Sequence, residues 1–419
     1  MLSKEDNELL VRTGPGTPMG TFMRRFWAPV MLESELGGPE SAPVRVDVLN
    51  EHFVAFRDTA GKIGLIDAYC PHRRANMYWG RNEDHGLRCV YHGWKFDVSG
   101  RCTDLPNCPE GSNLAARVKT RAFPTVTRGG IVWAYFGPPE KQPPFPAIEL
   151  TSAGPMQRRV HKMLLRCNYF QAMEGDNDSS HVSFLHSKLD GTAFEGSLSR
   201  PDMFSDTMPR WFTDDTAYGV ALSAQRNAGP DKYQWRVTQW LMPFCTLIAA
   251  PRGERMLANV RIPIDDERSI LFRCFYVPDR DLTAEEVELV EGGIISAEMI
   301  PGTFETAENA ENDYRIDREA QRTKTFTGIR SIVAQDMAVA EDQGGPVADR
   351  SREYLVSSDK AIIAIRKRML TSVKALQDGT EPAEAHNPDA YGVRAVDFYL
   401  PRDVDLAVGA KELLQAGAR

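Results

Sequence analysis

Two short segments, each carrying one cysteine and one histidine, constrain the fold of this chain more than any other feature. Cys70 and His72 form the first pair, and Cys89 and His92 form the second. Both pairs lie where a short strand is expected to pass into a turn. Thiolate sulfur and imidazole nitrogen are metal ligands, and one site can use all four only if they converge. The sequence therefore predicts two neighbouring loops that meet at a metal site.

The distribution of these ligands favours an iron–sulfur cluster. In a [2Fe–2S] cluster of mixed ligation, two thiolates hold one iron and two imidazoles hold the other. A structural zinc site also uses two cysteines and two histidines and is the alternative, as is the absence of any metal. Zinc fingers usually pair cysteine with cysteine and histidine with histidine. Here each segment supplies one of each, which favours the cluster.

A second group of candidate ligands follows the spacing Asp-x-x-His-x-x-x-x-His, at Asp178, His181 and His186. Mononuclear iron(II) that binds dioxygen needs only three protein ligands, typically two histidines and one carboxylate. His181 and His186 diverge by about 140° on a regular helix. We therefore expect the helix to end, or to widen into a π-turn, between them. The alternative is an amphipathic helix that carries two histidines and no metal.

The third ligand must come from elsewhere, and Asp336 is the candidate. It falls within an apolar stripe at helical spacing in residues 328–341, formed by Ile329, Ile332, Val333, Val339 and Ala340. A buried carboxylate is costly unless it is paired, and metal coordination would compensate that cost. The alternative is a buried aspartate satisfied by hydrogen bonds or by an arginine. Glu341 and Asp342 are the substitutes for this ligand.

The Pro-rich segment of residues 137–144 divides the chain, because proline lacks an N–H and fixes φ. Before it, short strands alternate with Gly-containing turns, and after it strands and helices mix. We expect an α+β protein in which a small all-β domain precedes a larger α+β domain with an antiparallel sheet and helices. The predicted parts are an N-terminal helical segment (1–25), the small domain (26–145) and the larger domain (146–419).

Charge and hydropathy exclude several classes of protein. The net charge is −8 and no block of Lys and Arg is present, so we expect no nucleic-acid partner. No run of about 18 apolar residues occurs, so we expect no membrane span. The first ten residues are too charged for a signal peptide, and a cytoplasmic protein is the expectation.

The Cys-Pro-His and Cys-Val-Tyr-His-Gly-Trp-Lys-Phe segments resemble the Rieske domain of ring-hydroxylating oxygenases. Residues 7–20, 235–243 and 345–351 are similar to the phthalate-dioxygenase group, so the resemblance covers nearly the whole chain. The sequence departs from the common pattern at Arg74, where glycine is frequent, and at Asp176-Asn177. The resemblance implies a Rieske [2Fe–2S] cluster and mononuclear Fe(II), with the cluster on Cys70, His72, Cys89 and His92 and the iron on His181, His186 and Asp336.

The resemblance also implies a mechanism and partners. Asp178 would be a bridging carboxylate that links His92 of one subunit to His181 of the next, in a homotrimer or a hexamer of stacked trimers. Neither a dinucleotide fingerprint nor a ferredoxin-type Cys run is present, so a separate NAD(P)H-dependent reductase would supply electrons. The expected reaction is dihydroxylation of an aromatic substrate with O2. Mono-oxygenation or aryl-ether O-demethylation is the alternative, and an electron carrier or zinc module without oxygen chemistry is the alternative from another class.

An aromatic carboxylate substrate would need cations in an otherwise apolar pocket, and the fork of Arg suits a carboxylate best. Ser179 and Ser180 could line the site near the iron. The arginines that could wall the pocket are Arg200, Arg210, Arg226, Arg236 and Arg252. Of these, Arg210, Arg236 and Arg252 are the candidate substrate-binding residues, together with Ser179.

Overall fold

The computed structural model describes residues 2–109 and 112–417, and their contacts divide into two units. The small unit contains residues 23–142. The large unit contains the described residues up to 22 together with those from 143 onward. Two helices open the chain, α1 (Lys4–Val11) and α2 (Pro18–Met23). Ser3 caps α1 by accepting a hydrogen bond from the Asp6 N–H.

The small unit is built from short antiparallel strands, as the sequence predicts. They are β1 (Trp27–Leu32), β2 (Val44–Val48), β3 (Glu51–Arg57), β4 (Ile63–Asp67), β5 (Arg81–Glu83), β6 (Gly86–Arg88), β7 (Lys95–Phe96), β8 (Cys102–Asp104), β9 (Ala122–Phe123), β10 (Thr125–Arg128) and β11 (Ile131–Tyr135), with one short helix, α3 (Leu114–Arg117), before β9. They form three sheets, with the orders β1-β11-β10, β2-β3-β4-β9 and β5-β6-β7-β8. Cys70 and Cys89 are both part of a buried core that includes Phe56 and Phe96.

A nine-stranded sheet organises the large unit. Its strands are β12 (Arg158–Leu165), β13 (Arg210–Asp215), β14 (Gly219–Asn227), β15 (Lys232–Leu241), β16 (Cys245–Ile248), β17 (Ala250–Pro251), β18 (Met256–Pro263), β19 (Ser269–Tyr276) and β20 (Val396–Pro401). The order is β12-β19-β18-β16-β15-β14-β13, and β20 pairs with β15 and β17. The pairs are antiparallel except β17 with β20.

Helices pack on this sheet, which gives the α+β architecture expected from the sequence. They are α4 (Tyr169–Asn177), α5 (Val182–Leu185), α6 (Asp202–Ser205), α7 (Ala284–Glu291), α8 (Arg318–Thr323), α9 (Ile332–Glu341), α10 (Lys360–Gln377) and α11 (Leu406–Gly409). α9 begins later than residue 328 because Ser331 caps it, accepting from the Ala334 N–H. Among residues 2–109 and 112–417, no helix is long and apolar enough to cross a membrane.

Strand register decides which side chains of the sheet meet beside α4 and α9. Side chains alternate between the two faces of a strand, so positions two apart share a face. On β18 and β19, Asn259 lies opposite Arg273, and Leu257 lies opposite Phe275. These four side chains, together with Arg255 just before β18, line one cavity.

Candidate metal centres and the adjoining cavity

The two Cys–His segments of the small unit form loops with the same backbone hydrogen bonds. In the loop after β4, the Cys70 N–H donates to Ala75 O (2.9 Å) and Cys70 O accepts from the Arg74 N–H (2.9 Å). In the loop after β6, the Cys89 N–H donates to the carbonyl of Trp94 (2.8 Å) and Cys89 O accepts from Gly93 (2.9 Å). Each loop is therefore closed by the same turn, which ends four or five residues after its cysteine.

Both turns need a left-handed residue four positions after the cysteine. Gly93 has φ 77°, and a Cβ there would lie 2.6 Å from Pro106 Cγ. Arg74 has φ 60°, a region that favours glycine. Its guanidinium carbon lies 4.8 Å from the centre of the Tyr69 ring, which partly offsets the strain. Arg74, where the sequence departs from the family pattern, is thus a turn residue with a strained backbone conformation.

The four side chains meet at the tips of these loops. The His72 and His92 rings lie 4.4 Å apart, and His72 stacks on Trp94 at 4.3 Å. The Nδ1 atom of His72 is buried without a hydrogen-bond partner. Burial, with a contribution from nearby Cys89, raises the pKa of the Cys70 thiol to about 11. An unpartnered imidazole nitrogen beside two buried thiols fits the donor set of a [2Fe–2S] cluster.

A second centre lies in the large unit, where three ligand atoms converge. His181 Nε2 and His186 Nε2 are 3.2 Å apart. Asp336 Oδ1 lies 3.0 Å from His186 Nε2 and 3.7 Å from His181 Nε2. An ion about 2 Å from each atom, a usual ligand distance, fits this triangle. Among the described residues, this is the group of three His, Cys, Asp or Glu side chains close enough to share a metal ion.

The two histidines lie at the two ends of one short helical turn. α4 ends at Asn177, and a separate turn of helix, α5, begins after His181 and ends before His186. The expectation that no regular helix runs through both histidines is therefore confirmed. Asp336 comes from α9. Burial would raise the pKa of its carboxyl, but His186, His181 and Arg273 lower it to about 2, so Asp336 is ionised.

The substitutes considered for Asp336 have other surroundings. Glu341 accepts hydrogen bonds from Tyr314 Oη (2.7 Å) and from the Arg166 N–H (3.1 Å), and burial raises its pKa. Asp342 is exposed. Asp336 leaves 38% of its side chain accessible, and that surface faces the cavities at this centre.

Asp178 lies behind His181. Its Oδ2 is 3.4 Å from His181 Nδ1, while its carboxylate also accepts from the N–H groups of Ser180 (2.7 Å) and His181 (3.3 Å). Burial opposes ionisation of Asp178, but the hydrogen bond with His181 and the charge of His181 lower its pKa. Burial alone would lower the pKa of His181. The hydrogen bond and the charge of Asp178 outweigh burial, so the pKa of His181 is raised. Asp178 therefore fixes the ring that presents Nε2 to the metal site.

Gln335 orients the other histidine, a role that the sequence reasoning missed. Its Oε1 lies 2.7 Å from His186 Nδ1, and its Nε2 donates to Ile329 O (2.7 Å). Gln335 is fully buried. An amide that accepts from Nδ1–H leaves Nε2 free to bind a metal. A polar residue beside Asp336 in an apolar helix was the available sequence signal.

A cavity adjoins this centre. Apolar residues and three arginines line it with the ligands, and Ser179 and Arg236 are among them, as expected. Ser179 Oγ is buried without a hydrogen-bond partner. Arg236 lies 3.6 Å from Asp397 Oδ2. The chemistry of this wall suits an aromatic ring that carries an anionic group.

The structure places the other expected arginines elsewhere. Arg210 is exposed on the edge strand β13, over the Phe212 ring, and Arg252 is exposed beside a different cavity. Neither is among the described residues that line the cavity at the metal site, so the expectation for both is corrected. Arg200 pairs with Asp397, and Arg226 donates to backbone carbonyls, including Ser179 O.

Arg255, Arg273 and Asn259 line the cavity and were missed. Their side chains lie on the same face of the β18–β19 pair, and strand register determines which residues share that face. An arginine in the middle of the apolar strand Ser269–Tyr276 was the signal that could have identified Arg273.

Comparison with known proteins agrees with both centres. Residues 26–124 match the Rieske [2Fe-2S] domain, and residues 134–406 match the LigXa C-terminal domain-like family. The chain is 37% identical to the phthalate 4,5-dioxygenase oxygenase subunit of Pseudomonas putida, over 97% of this chain and 94% of that protein. It is 32% identical to the 3-chlorobenzoate-3,4-dioxygenase oxygenase subunit of Comamonas testosteroni, over the full length of both.

A solved structure shares the fold at lower identity. Dicamba monooxygenase bound to dicamba aligns with a TM-score of 0.62 and 19% identity, over 86% of this chain and all of that one. The matched domains and the near full-length relatives together establish the family. The chain belongs to the Rieske-type non-haem iron ring-hydroxylating oxygenases, as an oxygenase subunit of the kind found in phthalate dioxygenase.

Proposed function

We propose that this chain is the terminal oxygenase component of a multicomponent system that dihydroxylates a carboxylated aromatic substrate with O2. The observation that carries the proposal is the meeting of three ligand atoms from His181, His186 and Asp336 beside an arginine-lined cavity. Two similar proteins, 37% and 32% identical to the chain, are named for oxidising phthalate and 3-chlorobenzoate, which are aromatic acids. A separate NAD(P)H-dependent reductase would supply the electrons.

The assignment of the cluster ligands follows from the small unit. Cys70 and Cys89 would hold one iron of the [2Fe–2S] cluster, and His72 and His92 the other. The matching hydrogen bonds of the two loops support this assignment, because they present the pairs alike. These residues would hold a cluster that supplies single electrons, and those of the large unit an iron that supplies the chemistry of dioxygen activation.

The iron ligands would be His181, His186 and Asp336. Three protein ligands leave open positions for oxygen next to the substrate. Asp178 would accept a hydrogen bond from His181 and another from His92 of a neighbouring subunit, in a homotrimer or a hexamer of stacked trimers. A second cavity, also lined by Asp178 and His181, supports the approach of another group to this carboxylate.

We propose the parts 1–25, 26–145 and 146–419 as the N-terminal helical segment, the Rieske domain and the catalytic domain. Breaks in the contacts after residues 22 and 142 support these boundaries. We also propose that the protein acts in the cytoplasm.

A single-turnover experiment tests the function. Protein with reduced cluster and iron is mixed with phthalate or benzoate in oxygenated buffer, and products are identified by mass. A cis-dihydrodiol is expected. Release of formaldehyde from an aryl methyl ether, without a dihydrodiol from any aromatic acid, would overturn dioxygenation and establish O-demethylation. The Asp336→Ala variant is the control, because it should keep a reducible cluster and form no product.

A further inference from the structure

Three guanidinium groups line the cavity, and one of them already has a carboxylate partner. Arg236 lies 3.6 Å from Asp397 Oδ2. Asp397 is fully buried and also binds Arg200 (2.8 Å) and Gln234 (2.7 Å). Arg236 also donates to Leu198 O (3.4 Å). Its positive charge is therefore partly balanced, by a carboxylate that it shares with Arg200.

Arg273 has no such partner. Its side chain is 94% buried, its Nη1 donates only a long hydrogen bond (3.4 Å) to Asn259 Oδ1, and its Nε is buried and unpartnered. The nearest carboxylates are engaged elsewhere. Asp176 binds Arg261 (2.5 Å) and the Asn259 amide (2.6 Å), and Asp336 belongs to the metal site. Burial lowers the pKa of Arg273 to about 10.

Arg255 likewise forms no ion pair with any of the described residues. Its side chain is 97% buried, its Nη2 donates to Gly196 O, and its Nε is buried and unpartnered. Of the two nearby carboxylates, Glu254 is exposed, and Glu286 already holds Arg280 (2.7 Å). Arg255 and Arg273 flank the same aromatic ring, with their guanidinium carbons 6.0 Å and 5.2 Å from the centre of Phe275.

A buried cation without a partner is costly, so its retention beside a cavity indicates a ligand that completes it. At the metal centre, two positive charges of Fe(II) would be balanced by Asp178 and Asp336. The charges of Arg255 and Arg273 then remain, on the wall formed by β18 and β19. This wall therefore contributes two positive charges that no ion pair among the described residues balances.

We propose that Arg255 and Arg273 form the anion-binding subsite of this cavity and select a substrate that carries two carboxylates, with its ring against Phe275. This inference rests on the proposed function for the reaction, and it adds the residues and the charge that determine specificity. A guanidinium binds a carboxylate through two parallel hydrogen bonds. Arg255 and Arg273 both line the cavity, and no carboxylate of the described residues forms an ion pair with either.

Binding to the holoenzyme tests the subsite without turnover. Phthalate, benzoate and dimethyl phthalate are titrated under anaerobic conditions by calorimetry, with the parent and the Arg255→Gln and Arg273→Gln variants. The parent is expected to prefer phthalate over the other two ligands. Each variant is expected to bind phthalate about 10- to 100-fold more weakly, the usual effect of losing charge-assisted hydrogen bonds. Arg210→Gln, at an exposed arginine outside the cavity, should bind as the parent does.

Thermal unfolding separates a binding role from a structural one. Because Arg273 is buried without an ion partner, Arg273→Gln should unfold at a temperature no lower than the parent. Arg273→Lys, which keeps the charge but loses the fork, should bind phthalate with intermediate affinity. Equal affinity of parent and both Gln variants for phthalate would overturn the subsite, as would equal affinity of the parent for phthalate and benzoate.

The two proposals can fail separately. If phthalate binds tightly, weakens in both Gln variants and is not oxygenated, the subsite stands and the proposed reaction is wrong. If phthalate is dihydroxylated equally well by the parent and by both variants, the reaction stands and the subsite is wrong.

Discussion

The hydrogen bond between Gln335 and His186 gives the sharpest prediction about the metal centre. Replacing Gln335 with methionine keeps the length of the side chain and removes both its hydrogen bonds, the one accepted from His186 Nδ1–H and the one donated to Ile329 O. Without the acceptor at 2.7 Å, the ring of His186 is no longer held with Nε2 towards Asp336.

The expected loss has two separable parts. Groups that orient a metal-binding histidine typically contribute about 10- to 100-fold in metal affinity, or about 1.4–2.7 kcal/mol. The buried carbonyl of Ile329 also loses its donor, which should lower the free energy of unfolding by about 1–3 kcal/mol. Gln335→Glu keeps an acceptor for His186 but removes the donor, so it should lower stability and leave metal affinity close to that of the parent.

The assay is anaerobic equilibrium binding of Fe(II) to protein with an intact cluster, alongside thermal unfolding of the apo mononuclear site. The predicted order of affinity is the parent, then Gln335→Glu close to it, then Gln335→Met. Tight Fe(II) binding by Gln335→Met, equal to that of the parent, would refute the role of this hydrogen bond.

Three further predictions concern other parts of the chain. Since Asp178 raises the pKa of His181 and metal binding needs a neutral imidazole, Asp178→Asn should move the pH midpoint of Fe(II) binding to lower pH; an unchanged or higher midpoint would contradict this. Glu174 is buried and binds two arginines, so Glu174→Gln should lower the free energy of unfolding by about 3–5 kcal/mol in denaturant titrations, whereas Glu305→Gln, in a half-exposed pair, should change it by less than about 1 kcal/mol. At position 74, where φ is 60°, Arg74→Gly should be more stable than Arg74→Ala by about 1 kcal/mol, and equal stability would show that the turn is unstrained.

Local patterns predicted most of the two metal centres. The Cys–His pairs lie in short loops whose geometry depends on a few neighbouring residues, so their spacing was informative. The end of the helix before His186 followed from helical geometry alone. Asp336 was a candidate because a carboxylate interrupts an apolar helix face, and the structure places it beside His181 and His186. Val339, on the expected apolar stripe, is 47% exposed, because that part of α9 borders a cavity rather than packed core.

The substrate wall could not be predicted in the same way. Whether an arginine faces the metal depends on strand register and on which strands are neighbours, and both are long-range properties. Arg210 and Arg252 resemble Arg236 in sequence, but they lie on an edge strand and beside another cavity. Arg255 and Arg273 meet because β18 pairs with β19, and that pairing is visible only in the fold.

The metal content of purified variants most directly tests whether the chain holds a mononuclear iron site separate from the cluster. Iron and acid-labile sulfide are measured in the parent and in Asp336→Ala, together with the visible and paramagnetic resonance spectra of the cluster. Asp336→Ala is expected to lose the mononuclear iron and to keep the two cluster irons, both sulfides and an unchanged Rieske spectrum. A variant that keeps all the iron of the parent, or one that loses the cluster instead, would contradict the assignment of His181, His186 and Asp336 as a separate mononuclear site.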